Sequence, residues 1–454
     1  MSHRESLFVI SDLHLGGDTG FQICTARGRR RLAAFIRGIP SQLSTGQHAH
    51  LVLAGDIVDF LAEQPFAAFT PEDSVATAKL ARIMDHGDTA DVWQALRELV
   101  SAGHSLTLLL GNHDLELSLP GPRRLLHQRI GHRGVEFLYD NQAFVRGPVL
   151  IEHGNRYDDW NVVPHDALRA VRSALTRREA PPPMRTVAGS ELVVGVMNGL
   201  KRQYAFIDLL KPENEAAIPL LAVLDPGAMF KLQQLVRMAR QAARTRTPRD
   251  ESGAPEEREL ISGEAEQTEE LLLREAQELL GASDDEIGAR EHLKSWWELY
   301  RAGTFEDRRE QLRRLRKALR IYVREQHETF AVAEESPRYL KPAEALARRG
   351  FRVVVFGHTH LAKRVPMLGG EARYLNTGTW AELMRIPEEV LSDSAAGDSV
   401  LSEFVEALAD NQLGPWRTLV PTFARIDLEG ETLVSADVFL FEEDGSVRPV
   451  GSRI

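Results

Sequence analysis

Near the N-terminus the chain holds three apolar stretches, residues 7–10 (LFVI), 51–54 (LVLA) and 106–110 (LTLLL), and each stops abruptly at a turn rich in Gly, Asp, Asn or His. A nearly continuous apolar run, rather than an alternating one, marks a strand covered on both faces. The spacing predicts strands over "LFVISDLHL", "HLVLAGDIVDF" and "HSLTLLLGNHD". Helical periodicity lies between them. Residues 25–39 place Leu32, Phe35, Ile36 and Ile39 on one face, and residues 88–102 do the same with Val92, Leu96, Leu99 and Val100 before Gly103 stops the helix. Thr70-Pro71-Glu72-Asp73 reads as a helix start with proline in the first turn. "VEFLYDN", "AFVRG" and "PVLIEHG" read as a strand meander. Strand and helix in alternation predict a layered α/β domain.

From about His165 to Ala347 the strand signal disappears and helical segments replace it. Ser283-Asp284-Asp285-Glu286 is a capping box ahead of Trp296 and Trp297, and a further helix runs from Thr304 to about His327. That second helix carries eight Lys or Arg residues over 307–324, a pattern expected of a solvated face. Residues 244–270 are polar, acidic and broken by Pro and Gly, the composition of a mobile linker. Strand patterning returns at "FRVVVFGHTH", continues through "ARYLNTGTW" and ends with "FARIDLEG" and "TLVSADVFLFEE". The expected organisation is therefore a core in two parts, residues 1–165 and 348–454, interrupted by a helical insertion over 166–347.

Composition narrows the chemistry. The chain has 454 residues, 43% of them hydrophobic, enough to bury a substantial core. Its formal charge of −11 speaks against a general nucleic-acid binder, whose footprint is basic. Cys24 is the one cysteine, so an intramolecular disulfide and a thiolate-rich metal cage are both excluded, and a reducing, cytoplasmic setting is expected. The N-terminal apolar run is too short for a signal peptide, and residues 216–230 are interrupted by Pro219, Asp225 and Pro226, so no membrane span is expected.

The turns after the strands carry the chemistry. They present Asp12 and His14 in "SDLHLG", Asp56 in "GDIVD", Asn112 and His113 in "GNHD", His153 in "EHG", and His358 and His360 in "GHTH". Asp12 and His14 alternate, so an extended backbone would send both side chains to one face. Any one of these residues beside a glycine would be an ordinary turn residue. Ligands bind outside the carboxyl ends of such strands, however, so five turns are expected to converge on one crevice. Mixed carboxylate, amide and imidazole donors suit Mn, Fe, Zn or Ni. Two Asp, one Asn and at least four His exceed what one catalytic ion needs and suit two ions bridged by a carboxylate. His86, His104, His127, His132 and His165 lack such a context and read as surface or core residues.

D-x-H, GD-x-x-D, GNHD, a later H-G and GH-x-H, in that order, resemble the motifs of the calcineurin-like metallophosphoesterases. The resemblance covers roughly residues 1–165 and 350–380 and omits the helical block. It implies a four-layer αββα sandwich, here with an all-helical insertion as a cap. It also implies two divalent ions, Mn first, with Fe, Zn, Ni and Mg as alternatives. Asp12, His14, Asp56 and His360 would hold the first ion, and Asp56 (bridging), Asn112, His153 and His358 the second. His113 would bind no metal and would act on the leaving group as general acid or charge stabiliser. A metal-activated hydroxide would serve as nucleophile, so no Ser or Cys is required. Asp59 fits a supporting hydrogen bond to a ligand, Asp114, Tyr157, Asp158 and Asn161 fit either such support or substrate contact, and "NTGTW" (376–380) fits a structural turn. The short "SDLHLG" start and the long insertion look like the UDP-diacylglucosamine diphosphatases. The chain departs from them in carrying His113 where they usually have Arg and in the length of its insertion. The expected activity is hydrolysis of a phosphodiester or diphosphate in a small phosphorylated, nucleotide-linked or UDP-sugar-type substrate. A nuclease of the same superfamily and a non-catalytic scaffold are the alternatives.

Overall fold

A computed structural model describes residues 4–210, 312–317, 319–320, 330–333, 335–386 and 388–452, together with Leu220 and Leu224. The predicted linker over 244–270 and the capping box at Ser283 lie outside the described residues. The chain divides into two compact units, one of Met1–Val194, His327–Leu383 and Arg417–Ile454, the other of Gly195–Gln326 and Met384–Trp416.

The first unit is built on two sheets. Parallel strands β1 (Arg4–Ile10), β2 (His48–Ala54), β3 (Ser105–Leu109) and β4 (Val135–Leu138) form one half of a seven-stranded sheet. Three antiparallel strands extend it from β1, namely β10 (Thr422–Glu429), β11 (Thr432–Phe441) and β12 (Val447–Pro449). The second sheet orders β5 (Phe144–Arg146), β6 (Val149–Ile151), β7 (Val353–Phe356), β9 (Ala372–Thr377) and β8 (Ala362–Met367). The expected meander is thus corrected. β4 ends the first sheet, parallel to β3, whereas β5 and β6 form a hairpin in the second, where β6 pairs in parallel with β7. The partner that decides this, residues 353–356, lies some two hundred positions downstream.

Alternating burial explains the layers. On β1, Leu7 and Val9 point between the sheets, where they meet Val149, Ile151, Val353, Val355 and Leu375. Phe8 and Ile10 point the other way, into helices α1 (Ala26–Gly38), α2 (Asp73–Asp85) and α3 (Gly87–Ser101). Each such side chain favours the fold by about 1.5–3 kcal/mol relative to exposure. The far face of the second sheet, Val354, Phe356 and Tyr374, is covered by Tyr339, Ala343 and Ala347 of the helix over Pro337–Ala347. Helix, sheet, sheet, helix is the four-layer αββα sandwich that the family resemblance implied. Helix α4 (Pro120–Ile130) and helix α5 (His165–Thr176) also belong to this unit. The Pro337–Ala347 helix, numbered α6 here, and α5 both belong to it, although their sequence reads as part of the helical block.

Two local expectations are corrected. β1 ends at Ile10, so Asp12 and His14 lie beyond the strand, in left-handed backbone at φ 53° and 43°. The helix expected at Thr70 starts at Asp73 instead. Thr70 is taken up elsewhere: its N–H donates to Glu116 Oε1 at 2.7 Å and its hydroxyl accepts from the buried Lys79 ammonium at 3.1 Å.

In the second unit, Leu401, Phe404, Val405 and Leu408 form the buried face of helix α7 (Ala395–Ala409), with Trp416 edge-on to Phe404. Arg316 of the basic helix is buried rather than solvated. It donates to the Val390 carbonyl at 3.0 Å and pairs with Asp393 and Asp398. No described helix is long and apolar enough to cross a membrane.

Candidate metal centre

Five turns at the carboxyl ends of the strands bring the sequence-predicted donors together. Asp12, His14 and His360 form one group whose donor atoms lie within 4.8 Å of one another, and Asp56, His153 and His358 form a second. In the first, His14 Nε2 faces His360 Nε2 at 3.0 Å, and Asp12 Oδ1 is 3.5 Å from the same His360 nitrogen. In the second, His153 Nε2 is 3.2 Å from Asp56 Oδ2 and 3.3 Å from Asn112 Oδ1. The groups meet at Asp56, whose Oδ2 also lies 3.9 Å from His14 Nε2. His153 is held by its other nitrogen, Nδ1, at 2.8 Å from the Ala54 carbonyl.

The backbone is strained here for the sake of this convergence. Asp12, His14, Asp56, His358 and His360 all have φ between 43° and 70°, a region that residues other than glycine rarely adopt and that clusters at functional sites. Two glycines make room for them. A Cβ on Gly55 would sit 2.6 Å from the His153 ring, and one on Gly111 would sit 2.1 Å from Asp56 Oδ1. Gly111→Ala must therefore displace the Asp56 carboxylate together with the Asp56 backbone nitrogen, which lies 2.3 Å from that Cβ. Because a 1 Å misplacement costs on the order of 10²-fold in rate, activity is expected to fall by about that factor while circular dichroism stays native. Activity within threefold of the parent would show that the carboxylate position is not critical.

Buried charge in this crevice calls for cations. Asp12 and Asp56 are almost wholly buried, as are His14 and His153. Burial opposes ionisation of Asp56, yet the imidazoles around it, His153 foremost, hold its carboxyl well below the usual range. Conversely, burial would depress His153, but Asp56 outweighs that and raises the imidazole to about 10. His14 Nδ1 is buried with no hydrogen-bond partner, and two imidazole nitrogens confront each other at 3.0 Å. Carboxylate and imidazole oxygens and nitrogens without thiolate suit catalytic divalent ions, so the residues present fit such a centre.

Of the remaining residues, Asp59 and His113 form with His14 a third group of donor atoms within 4.8 Å of one another. Asp114 is fully buried and accepts from Ile57 N–H and Gly111 N–H, both at 2.7 Å, so it ties the GDIVD and GNHD turns together. Burial, followed by the Asp56 charge, pushes its carboxyl up to about 7. Asp59 accepts from the backbone of Leu61 and Ala62 and lies 3.3 Å from His113 Nδ1 and 3.6 Å from His14 Nδ1. Tyr157 gives its hydroxyl to Glu152 at 2.6 Å and packs against Phe356, which puts it in the outer apolar layer rather than among the donors. Asp158 bonds His358, and Asn161 bonds Asn112. The "NTGTW" segment does more than turn. Thr379 Oγ1 donates to the Asp12 carbonyl at 2.7 Å, and Asn376 Nδ2 donates to the Gly357 carbonyl at 2.7 Å, so it clamps the first and last donor turns. Sequence reasoning missed Arg338, 3.5 Å from Asp158, because nothing near Arg338 in the chain marks it.

The family model for calcineurin-like phosphoesterases matches residues 6–183. The match stops short of His358 and His360, which the structure nevertheless brings to the same crevice. No curated protein matches the chain. Residues 6–183, with the donor groups they carry, thus match the calcineurin-like phosphoesterases, a family of metal-dependent phosphohydrolases that implies a dimetal centre.

Proposed function

We propose that the protein hydrolyses a phosphodiester or diphosphate bond in a small, nucleotide-linked or UDP-sugar-type substrate, in the cytoplasm. The observation that carries this reading is the single Asp56 Oδ2, 3.2 Å from His153 Nε2 and 3.9 Å from His14 Nε2, poised to serve both donor groups. In this reading Asp12, His14, Asp56 and His360 hold one ion, and Asp56, Asn112, His153 and His358 hold the other. Two divalent cations, Mn first, would when bound supply an acidified water at neutral pH and neutralise the phosphoryl oxygens.

The chain's own groups do the rest. His113 is the most exposed imidazole of the cluster, and its Nδ1 is 3.3 Å from Asp59. With Nδ1–H directed to that carboxylate, Nε2 is the atom that delivers a proton to the leaving oxygen as the P–O bond breaks. The Asp56 carboxylate, fixed at Oδ1 by the His113 backbone N–H at 2.9 Å, couples the position of this acid to that of both ions. An overall charge of −11 favours a small anionic substrate drawn to the cations over a long polyanion needing a basic track.

A substrate panel tests this. Protein loaded with Mn²⁺ is offered aryl phosphomonoesters and diesters, nucleoside diphosphate sugars, cyclic nucleotides and DNA. Hydrolysis of the aryl diester, lost with chelator and restored by Mn²⁺, is expected, with a nucleoside diphosphate sugar turned over better still. Turnover indifferent to chelation would contradict the reading, and preference for DNA would redirect it to a nuclease.

A further inference from the structure

Asp158 and Asn161 stand at a junction that the proposed chemistry does not use. The Asp158 carboxylate, 14% exposed at its side chain, accepts through Oδ2 from His358 Nε2 at 3.1 Å and from Asn161 Nδ2 at 2.8 Å. Its Oδ1 accepts from Trp160 N–H at 3.1 Å and faces Arg338 Nη1 at 3.5 Å. Asn161 in turn presents Oδ1 to Asn112 Nδ2 at 3.4 Å, while its own carbonyl is held by Asn155 Nδ2 at 2.7 Å.

The direction of these bonds is forced. An ionised carboxylate only accepts, so both of its Oδ2 neighbours must donate. His358 therefore carries its proton on Nε2 and keeps its lone pair on Nδ1. Asn161 must turn its NH₂ toward Asp158, which leaves its oxygen toward Asn112. Asn112 must then offer NH₂ to Asn161, which leaves its own oxygen toward His153, the side on which Asp56 lies. One carboxylate thus sets the donor atoms of two side chains that come from turns almost 250 residues apart in sequence. Gly189 gives the turn its space, since a Cβ there would be 2.3 Å from Asn161 Oδ1.

Resting on the two-ion reading above, we infer that Asp158, neutralised by Arg338 and relayed by Asn161, is the positioning residue of the second metal site: it commits His358 to bind through Nδ1 and Asn112 through its oxygen. Outer hydrogen bonds of this kind fix ligand tautomer and orientation, and losing them lowers metal affinity by about 10–100-fold. The first site, built on Asp12, His14 and His360, has no side-chain bond to Asp158 or Asn161 among the described residues; it is joined to the second through Asp56 and through the His358 N–H, which donates to Asp12 Oδ2 at 2.9 Å, so the larger effect falls on the second ion.

Calorimetric titration of the full chain with Mn²⁺ reads both affinities. Asp158→Ala is expected to weaken one site by about 10–100-fold and leave the other within threefold, with Asn161→Ala doing the same to a lesser degree. Asp158→Asn, which still presents an oxygen to His358 Nε2, should recover part of the loss. In wild-type protein labelled with ¹⁵N-histidine and loaded with Zn²⁺, His358 should show a proton on Nε2 and a metal-shifted Nδ1. Two wild-type sites that both survive Asp158→Ala within threefold, or equal losses at both sites in folded Asn161→Ala, would overturn this inference alone. A His358 protonated on Nδ1 would do the same. A wild-type chain with one Mn²⁺ site would overturn the two-ion reading and this inference with it.

Discussion

Asp56→Asn is expected to abolish turnover and to lower metal occupancy at both sites together. The substitution keeps the size of the side chain but removes the charge that serves both donor groups. Asp56 Oδ2 is 3.2 Å from the His153 imidazole and 3.9 Å from that of His14, and the residue is buried, so no water replaces what is lost. An amide would also turn an NH₂ group toward an imidazole nitrogen or a cation. The check is elemental analysis alongside aryl diester hydrolysis. Loss of activity with two ions still bound would deny Asp56 its bridging role.

His113→Ala is expected to act differently. It should cut turnover by roughly 10²–10⁴-fold, the usual contribution of a positioned acid or base, while metal content stays at the parental level. The geometry supports the separation. His113 Nδ1 lies against Asp59, and its backbone N–H, which the substitution retains, supports Asp56 Oδ1 at 2.9 Å. Substrates with good leaving groups need no protonation, so the defect should shrink markedly for a nitrophenyl ester and grow for an alkyl one. If His113→Ala strips metal as thoroughly as Asp56→Asn, the imidazole is a ligand and the role given to it here is wrong.

The donors were legible because each follows a buried strand and a turn, and strands that read as continuous apolar runs leave little doubt about where they end. Asp12, His14, Asp56, Asn112, His153, His358 and His360 could be named as candidates on that ground, and the family resemblance set His113 apart from them. The way the chain bends to present them was not legible. Asp12 and His14 converge through left-handed backbone beyond β1 rather than through alternation along it, a conformation imposed by the neighbouring turns. Thr70 carries every local mark of a cap, yet buried Lys79 and Glu116 claim it. Likewise β4 and β5 lie a few residues apart and enter different sheets, because parallel pairing with β3 and with the sheet containing β7 is decided by distant segments. Arg338 reaches Asp158 only once the fold exists.

The central claim is that two cations share Asp56. Anomalous diffraction at the Mn edge, on crystals of Mn²⁺-loaded protein, tests it most directly. Two peaks are predicted, one among Asp12, His14 and His360 and one among Asn112, His153 and His358, with the Asp56 carboxylate between them. A single peak, or peaks that leave Asp56 uncoordinated, would contradict it.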